Sequence, residues 1–81
     1  MKAVTQDEKL MIMLYELSIK AGDLETKFNR FDLGQKVGLH DRGINAICKL
    51  LMQANFIKKS GETDIYLTKN GVDLAIELLA R

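Results

Sequence analysis

Residues 31–71 carry more punctuation than a plain helical bundle needs. A short second helix, Leu33–Val37, is stopped by Gly38, and Leu39-His40-Asp41 makes a turn. Beyond the turn, Ile44, Ile47, Cys48 and Leu51 recur at i, i+3, i+4 and i+7, one buried face of a helix. Asp41 or His40 is placed to cap that helix, which is predicted over about residues 41–54. The pattern then changes. Phe56-Ile57-Lys58-Lys59 reads as a strand, Ser60–Asp64 as a turn cluster, and Ile65-Tyr66-Leu67 as a return strand. Thr68 stands at an N-cap position ahead of a last helix to about Ala80. In that helix Val72, Ala75, Ile76 and Leu79 form one stripe, and Leu74 and Leu78 project elsewhere.

Upstream, Thr5-Gln6-Asp7-Glu8 has the form of a capping box, in which hydroxyl and carboxylate each satisfy a free backbone N–H. A first helix is predicted from there to about Ala21, with Gly22 as its stop. Leu10, Met13, Leu14, Leu17 and Ala21 share one side of it; Ile12, Tyr15 and Ile19 lie nearly opposite. Asp23–Asn29 reads as a polar loop. Asp32, with Gln35 three residues on, reads as the N-cap of the second helix. The expected class is mainly α with a small β-hairpin, in the order α/α/α/β/β/α, as one domain over residues 1–81.

Composition narrows the function classes. A chain of this size buries only about 60% of its unfolded surface, enough for a modest core but not for a deep catalytic cavity. One cysteine, Cys48, and one histidine, His40, give no disulfide framework and no His/Cys metal site. His40 beside Asp41 lacks a nearby nucleophile, and no glycine pattern matches a phosphate loop. No enzyme activity, cofactor or metal is therefore expected. The longest apolar run, Leu10–Tyr15, falls far short of the roughly 20 residues that span a bilayer, and no signal-peptide pattern opens the chain. A cytoplasmic location without membrane contact is the default expectation.

Net charge is +1, yet it is unevenly spread. Residues 28–60 hold Arg30, Lys36, Arg42, Lys49, Lys58 and Lys59 against Asp32 and Asp41, a local balance of +4. A basic middle on a near-neutral chain is one form of nucleic-acid footprint.

Read together, FDLGQKVGLHDRGINAICKLLMQANFIKKSGETDIYLTKNGVDLAIELL resembles the winged helix-turn-helix superfamily, nearest its multiple-antibiotic-resistance-regulator (MarR) type. The matching pieces are the Gly38-Leu39 turn, a recognition helix at about Asp41–Ala54, the Asn55-Phe56-Ile57 step, a basic wing at about residues 56–67, and Leu67-Thr68-Lys69-Asn70-Gly71 opening a helix. Asn55 stands where the family usually has glycine, and asparagine is the next best residue for a left-handed backbone. The resemblance implies a transcriptional regulator that lays its third helix in the major groove of double-stranded DNA. Arg42 would then pair with guanine and Asn45 with adenine. Lys49 and Gln53 would lie nearer the sugar-phosphate backbone, with His40 at the helix entrance. Lys58 and Lys59 on the wing would meet phosphates, and Arg30 and Lys36 are further candidates for backbone contact. An ordinary solvated helix face would carry the same side chains, and lysines on an edge strand also guard against aggregation. Asp41, Glu62 and Asp64 oppose a phosphate contact. The alternative reading is a protein-protein adaptor that reuses the scaffold without DNA.

The first and last helices are apolar on two sides. Ile12, Tyr15, Ile19, Leu74 and Leu78 are expected to form an exposed patch and a homodimer interface, unless they pack within the chain.

Overall fold

The computed structural model describes residues 5–81. α1 (Gln6–Ala21) leads to a two-residue strand β1 (Phe28–Asn29), then α2 (Arg30–Lys36) and α3 (Asp41–Gln53). The hairpin strands β2 (Ile57–Ser60) and β3 (Asp64–Leu67) follow, and α4 (Lys69–Leu79) ends the chain's regular structure. The start of α1 is the capping box read from the sequence. The Thr5 N–H donates to Glu8 Oε1 at 3.0 Å, and the Glu8 N–H donates to the Thr5 hydroxyl at 3.4 Å. The bond from the Thr5 N–H holds the Glu8 carboxyl below its ordinary pKa. Gly22 ends the helix in the left-handed region, at φ +84°.

Two helix starts differ from the sequence reading. α2 is capped by Asn29, not by Asp32: Asn29 Oδ1 accepts from the N–H groups of Phe31 at 2.9 Å and Asp32 at 3.3 Å. The cause is β1, which ends the segment Asp23–Asn29 expected to be a polar loop. Phe28 and Asn29 pair with Ile65 and Asp64 of β3, so Asn29 is held extended at the helix entrance and Asp32 falls inside the first turn. A strand of two residues has no alternation to detect. At α3, His40 occupies the N-cap position but its side chain makes no capping bond, and Asp41 lies in the first turn.

The three strands form an antiparallel sheet in the order β1-β3-β2. One core joins it to the helices: Leu10, Met11 and Leu14 from α1, Leu33 from α2, Ile44, Cys48 and Leu51 from α3, Ile57, Ile65 and Leu67 from the sheet, and Leu78 from α4. Each large apolar side chain buried there stabilises the fold by about 1.5–3 kcal/mol.

The outer helices are rotated relative to the expectation. In α1 the buried line is Leu10, Met11, Leu14 and Ser18, with Met13 and Leu17 half-buried and Ala21 exposed. The Ser18 hydroxyl is buried without a hydrogen-bond partner. In α4 the buried line is Gly71, Ala75 and Leu78, while Ile76 and Leu79 are about half exposed, at 49% and 47%. Leu78 is thus a core residue and not part of an exposed patch. The reason lies at the helix start. A Cβ on Gly71 would sit 1.9 Å from the Phe56 carbonyl oxygen, so only glycine permits this approach. Once Gly71 faces inwards, Ala75 and Leu78, at i+4 and i+7, must follow.

The same junction fixes the base of the hairpin. Asn55 adopts φ +64°, the left-handed conformation its place after α3 requires. The Thr68 N–H donates to the Phe56 carbonyl at 3.1 Å. The Thr68 hydroxyl donates to the Asn55 carbonyl at 2.5 Å and accepts from the Gly71 N–H at 3.1 Å. At the far end of α4, Arg81 pairs with Glu8 at 3.1 Å, so α4 and α1 run antiparallel.

Candidate nucleic-acid interface

With Ile44, Cys48 and Leu51 turned into the core, α3 leaves Arg42, Asn45, Lys49 and Gln53 exposed along its other side. Ala46 and Leu50 share that outer side, and Leu50 is 65% exposed. His40 is exposed at the helix entrance. Asp41 is exposed in the first turn, where the helix dipole favours an acid, and it sets a negative charge beside Arg42.

The hairpin adds cations on both faces of the sheet. Lys58 pairs with Tyr66, and Lys59 with Ile65. Paired residues share a face and neighbours alternate, so the two exposed lysines diverge. Lys58 shares the Tyr66 face with Lys27, whose Nζ lies 5.5 Å from the Tyr66 ring centroid. Lys27 was not singled out in the sequence, where it is one charge in a mixed polar loop.

Arg30 joins the two halves of this surface. Its Nε donates to Asn45 Oδ1 at 2.8 Å, and Nη1 donates to the Glu62 carbonyl at 2.8 Å. Its backbone N–H donates to the Thr63 carbonyl at 3.0 Å. The guanidinium lies 4.8 Å from the Phe31 ring centroid. The sequence reading made Arg30 a candidate for backbone contact; the structure spends its side chain inside the protein. The Asn45 carbonyl, one half of the two-point contact expected with adenine, accepts from Arg30 with one of its two lone pairs.

No protein-family model matches the sequence, and no curated protein matches it significantly. Solved structures match in three dimensions. The adhesin competence repressor AdcR from Streptococcus pyogenes superposes with a TM-score of 0.72 at 14% identity, over 98% of this chain and 57% of that one. SSV1 F-93 gives 0.70 at 25% identity, over 96% of this chain and 82% of that one. NMB1585, a MarR family regulator from Neisseria meningitidis, gives 0.64 at 23% identity, over 88% and 51%. The fold is a winged helix-turn-helix. It resembles MarR-type regulators, although the chain spans only about half the length of NMB1585 and 57% of AdcR.

In a winged helix-turn-helix, α3 occupies the position of the recognition helix and β2–β3 that of the wing. Arg42, Asn45, Lys49 and Gln53 fall on the former and Lys58 and Lys59 on the latter. The residues expected at a dimer interface divide. Ile19 is 53% exposed; Ile12, Tyr15 and Leu74 are half-buried against the core; Leu78 is buried within it. Ile76 and Leu79 take the outward positions on α4 instead. A shallow groove of about 420 Å³ runs beside α1, lined by Met13, Glu16, Leu17, Ile19 and Lys20. Cys48 lies on the buried face of α3, where burial pushes its thiol up to about 11 and keeps it protonated at neutral pH. Among the described residues no helix is long and apolar enough to cross a membrane.

Proposed function

We propose that this chain is a non-enzymatic DNA-binding regulator that reads duplex DNA with α3 and steadies itself with the wing. The observation that carries the reading is the exposed face of α3, with Arg42, Asn45, Lys49 and Gln53, beside a wing that carries Lys58 and Lys59 on its two faces. The likeness to a repressor and to a MarR family regulator supports it. Arg42 supplies paired donors that suit guanine O6 and N7. Lys49, Gln53 and the wing lysines supply sequence-independent contacts to the backbone. Two copies pair through the outer sides of α1 and α4, where Ile19, Ile76 and Leu79 are exposed, and so set two recognition helices roughly 34 Å apart. Light scattering after size exclusion tests the pairing: a dimer agrees, and a monomer at high concentration contradicts it.

DNA binding is tested by fluorescence anisotropy on duplexes selected from a random pool. Arg42→Ala is expected to weaken binding by about 10- to 100-fold, a loss confined to selected sequences. No duplex binding by the folded protein at low salt overturns the reading. The outward Leu50 favours a second one, a protein-docking face on α3. In that case Leu50→Ser removes a partner, and Arg42→Ala leaves duplex affinity unchanged.

A further inference from the structure

We propose that Arg30 is a positioning residue: it clamps the wing tip to α3 and fixes the polarity of the Asn45 amide, so that Asn45 offers DNA its N–H donors in one orientation. The inference rests on the DNA-binding reading for its consequence, but the clamp itself exists in the free protein.

Arginine has five donors and no acceptor. The Asn45 atom facing Arg30 Nε at 2.8 Å must therefore be oxygen, and the amide cannot flip without placing donor against donor. A second guanidinium nitrogen reaches the Glu62 carbonyl at the wing tip, and the Arg30 backbone binds the Thr63 carbonyl beside it. One residue at the head of α2 thus sets both the angle of the wing against α3 and the face of one side chain on α3. Stacking against Phe31 keeps the guanidinium in place. Lysine cannot substitute, since a single ammonium lacks the planar fork that serves two acceptors at once.

With its oxygen held against Arg30, Asn45 turns its N–H donors towards acceptors in the major groove, such as N7 of a purine.

The test uses the full chain and the variants Arg30→Lys, Arg30→Ala and Asn45→Ala. In nuclear magnetic resonance of the free protein, the Arg30 Nε–H is expected to exchange with solvent far more slowly than that of Arg42. Asn45→Ala should abolish this protection. Arg30→Lys should lower the order parameters of Gly61–Thr63 while leaving those of α3 unchanged. An Arg30 Nε–H that exchanges as fast as that of Arg42, or a wing tip indifferent to Arg30→Lys, overturns the clamp whether or not DNA binds.

On selected duplexes, 7-deazaadenine or 7-deazaguanine at the purine read by Asn45 should cost about tenfold in affinity for the wild type and nothing for Asn45→Ala. A wild type indifferent to the 7-deaza bases overturns the assigned polarity. Loss of all duplex binding by the wild type contradicts the DNA-binding reading instead, and leaves the free-protein measurements to decide the clamp.

Discussion

The wing is held at its two ends by different means. At its base, Asn55, Phe56, Thr68 and Gly71 meet through backbone groups and one hydroxyl, and Gly71 approaches so closely that no side chain fits. At its tip a single long side chain, Arg30, reaches across from another element. The base sits on the core and sets the rotation of α4. The tip is solvent-exposed and sets only the angle between the wing and α3. Stability is therefore concentrated at the base, and adjustability at the tip.

Substitutions at the two ends should separate these roles. Gly71→Ala is the most damaging: either the Phe56 carbonyl or α4 must move, and overpacking against backbone costs about 3 kcal/mol or more. Urea denaturation measures it, and a loss under 1 kcal/mol would show that the junction yields easily. Cys48, on the buried face of α3, gives a pH-dependent reference. Its thiol titrates near 9.0 when unfolded and near 11 when folded. Its contribution is complete below pH 9 and is lost as pH rises towards 11, a fall of about 2–3 kcal/mol. Cys48→Ala should remove that slope from the stability profile, leaving whatever other groups contribute.

Thr68→Ala removes the α4 cap and the tie to Asn55, for a cost of about 1–2 kcal/mol by thermal unfolding. Arg30→Ala should cost less than any of these, under about 1 kcal/mol globally, because its hydrogen bonds are exposed. Its effect should appear instead in wing-tip motion. An Arg30→Ala variant as unstable as Thr68→Ala would erase the distinction between base and tip.

The same division explains what the sequence disclosed. The base was legible in part because its signals are local: Thr68 marks the cap of α4, Leu67-Thr68-Lys69-Asn70-Gly71 carries part of the family resemblance, and Asn55 marks the left-handed step after α3. The inward stripe of α3 was legible for the same reason. The tip was not, because Arg30 finds its partners 15 and 32 positions away, and no periodicity links them. β1 escaped notice because its pairing partner, not its own pattern, makes it a strand. The rotation of α4 was misread because Leu78 and Leu79 are equally apolar. What chooses between them is the contact between Gly71 and Phe56, which is visible only when the chain is folded.

The central claim is that α3 and the wing together bind duplex DNA. Its most direct test is the salt dependence of duplex affinity for the wild type and for a Lys58→Ala, Lys59→Ala double variant. Log affinity should fall linearly with log salt, and the double variant should lower that slope by about two while keeping the selected sequence preference. An affinity indifferent to salt, or a slope that the two lysines do not change, would contradict the account.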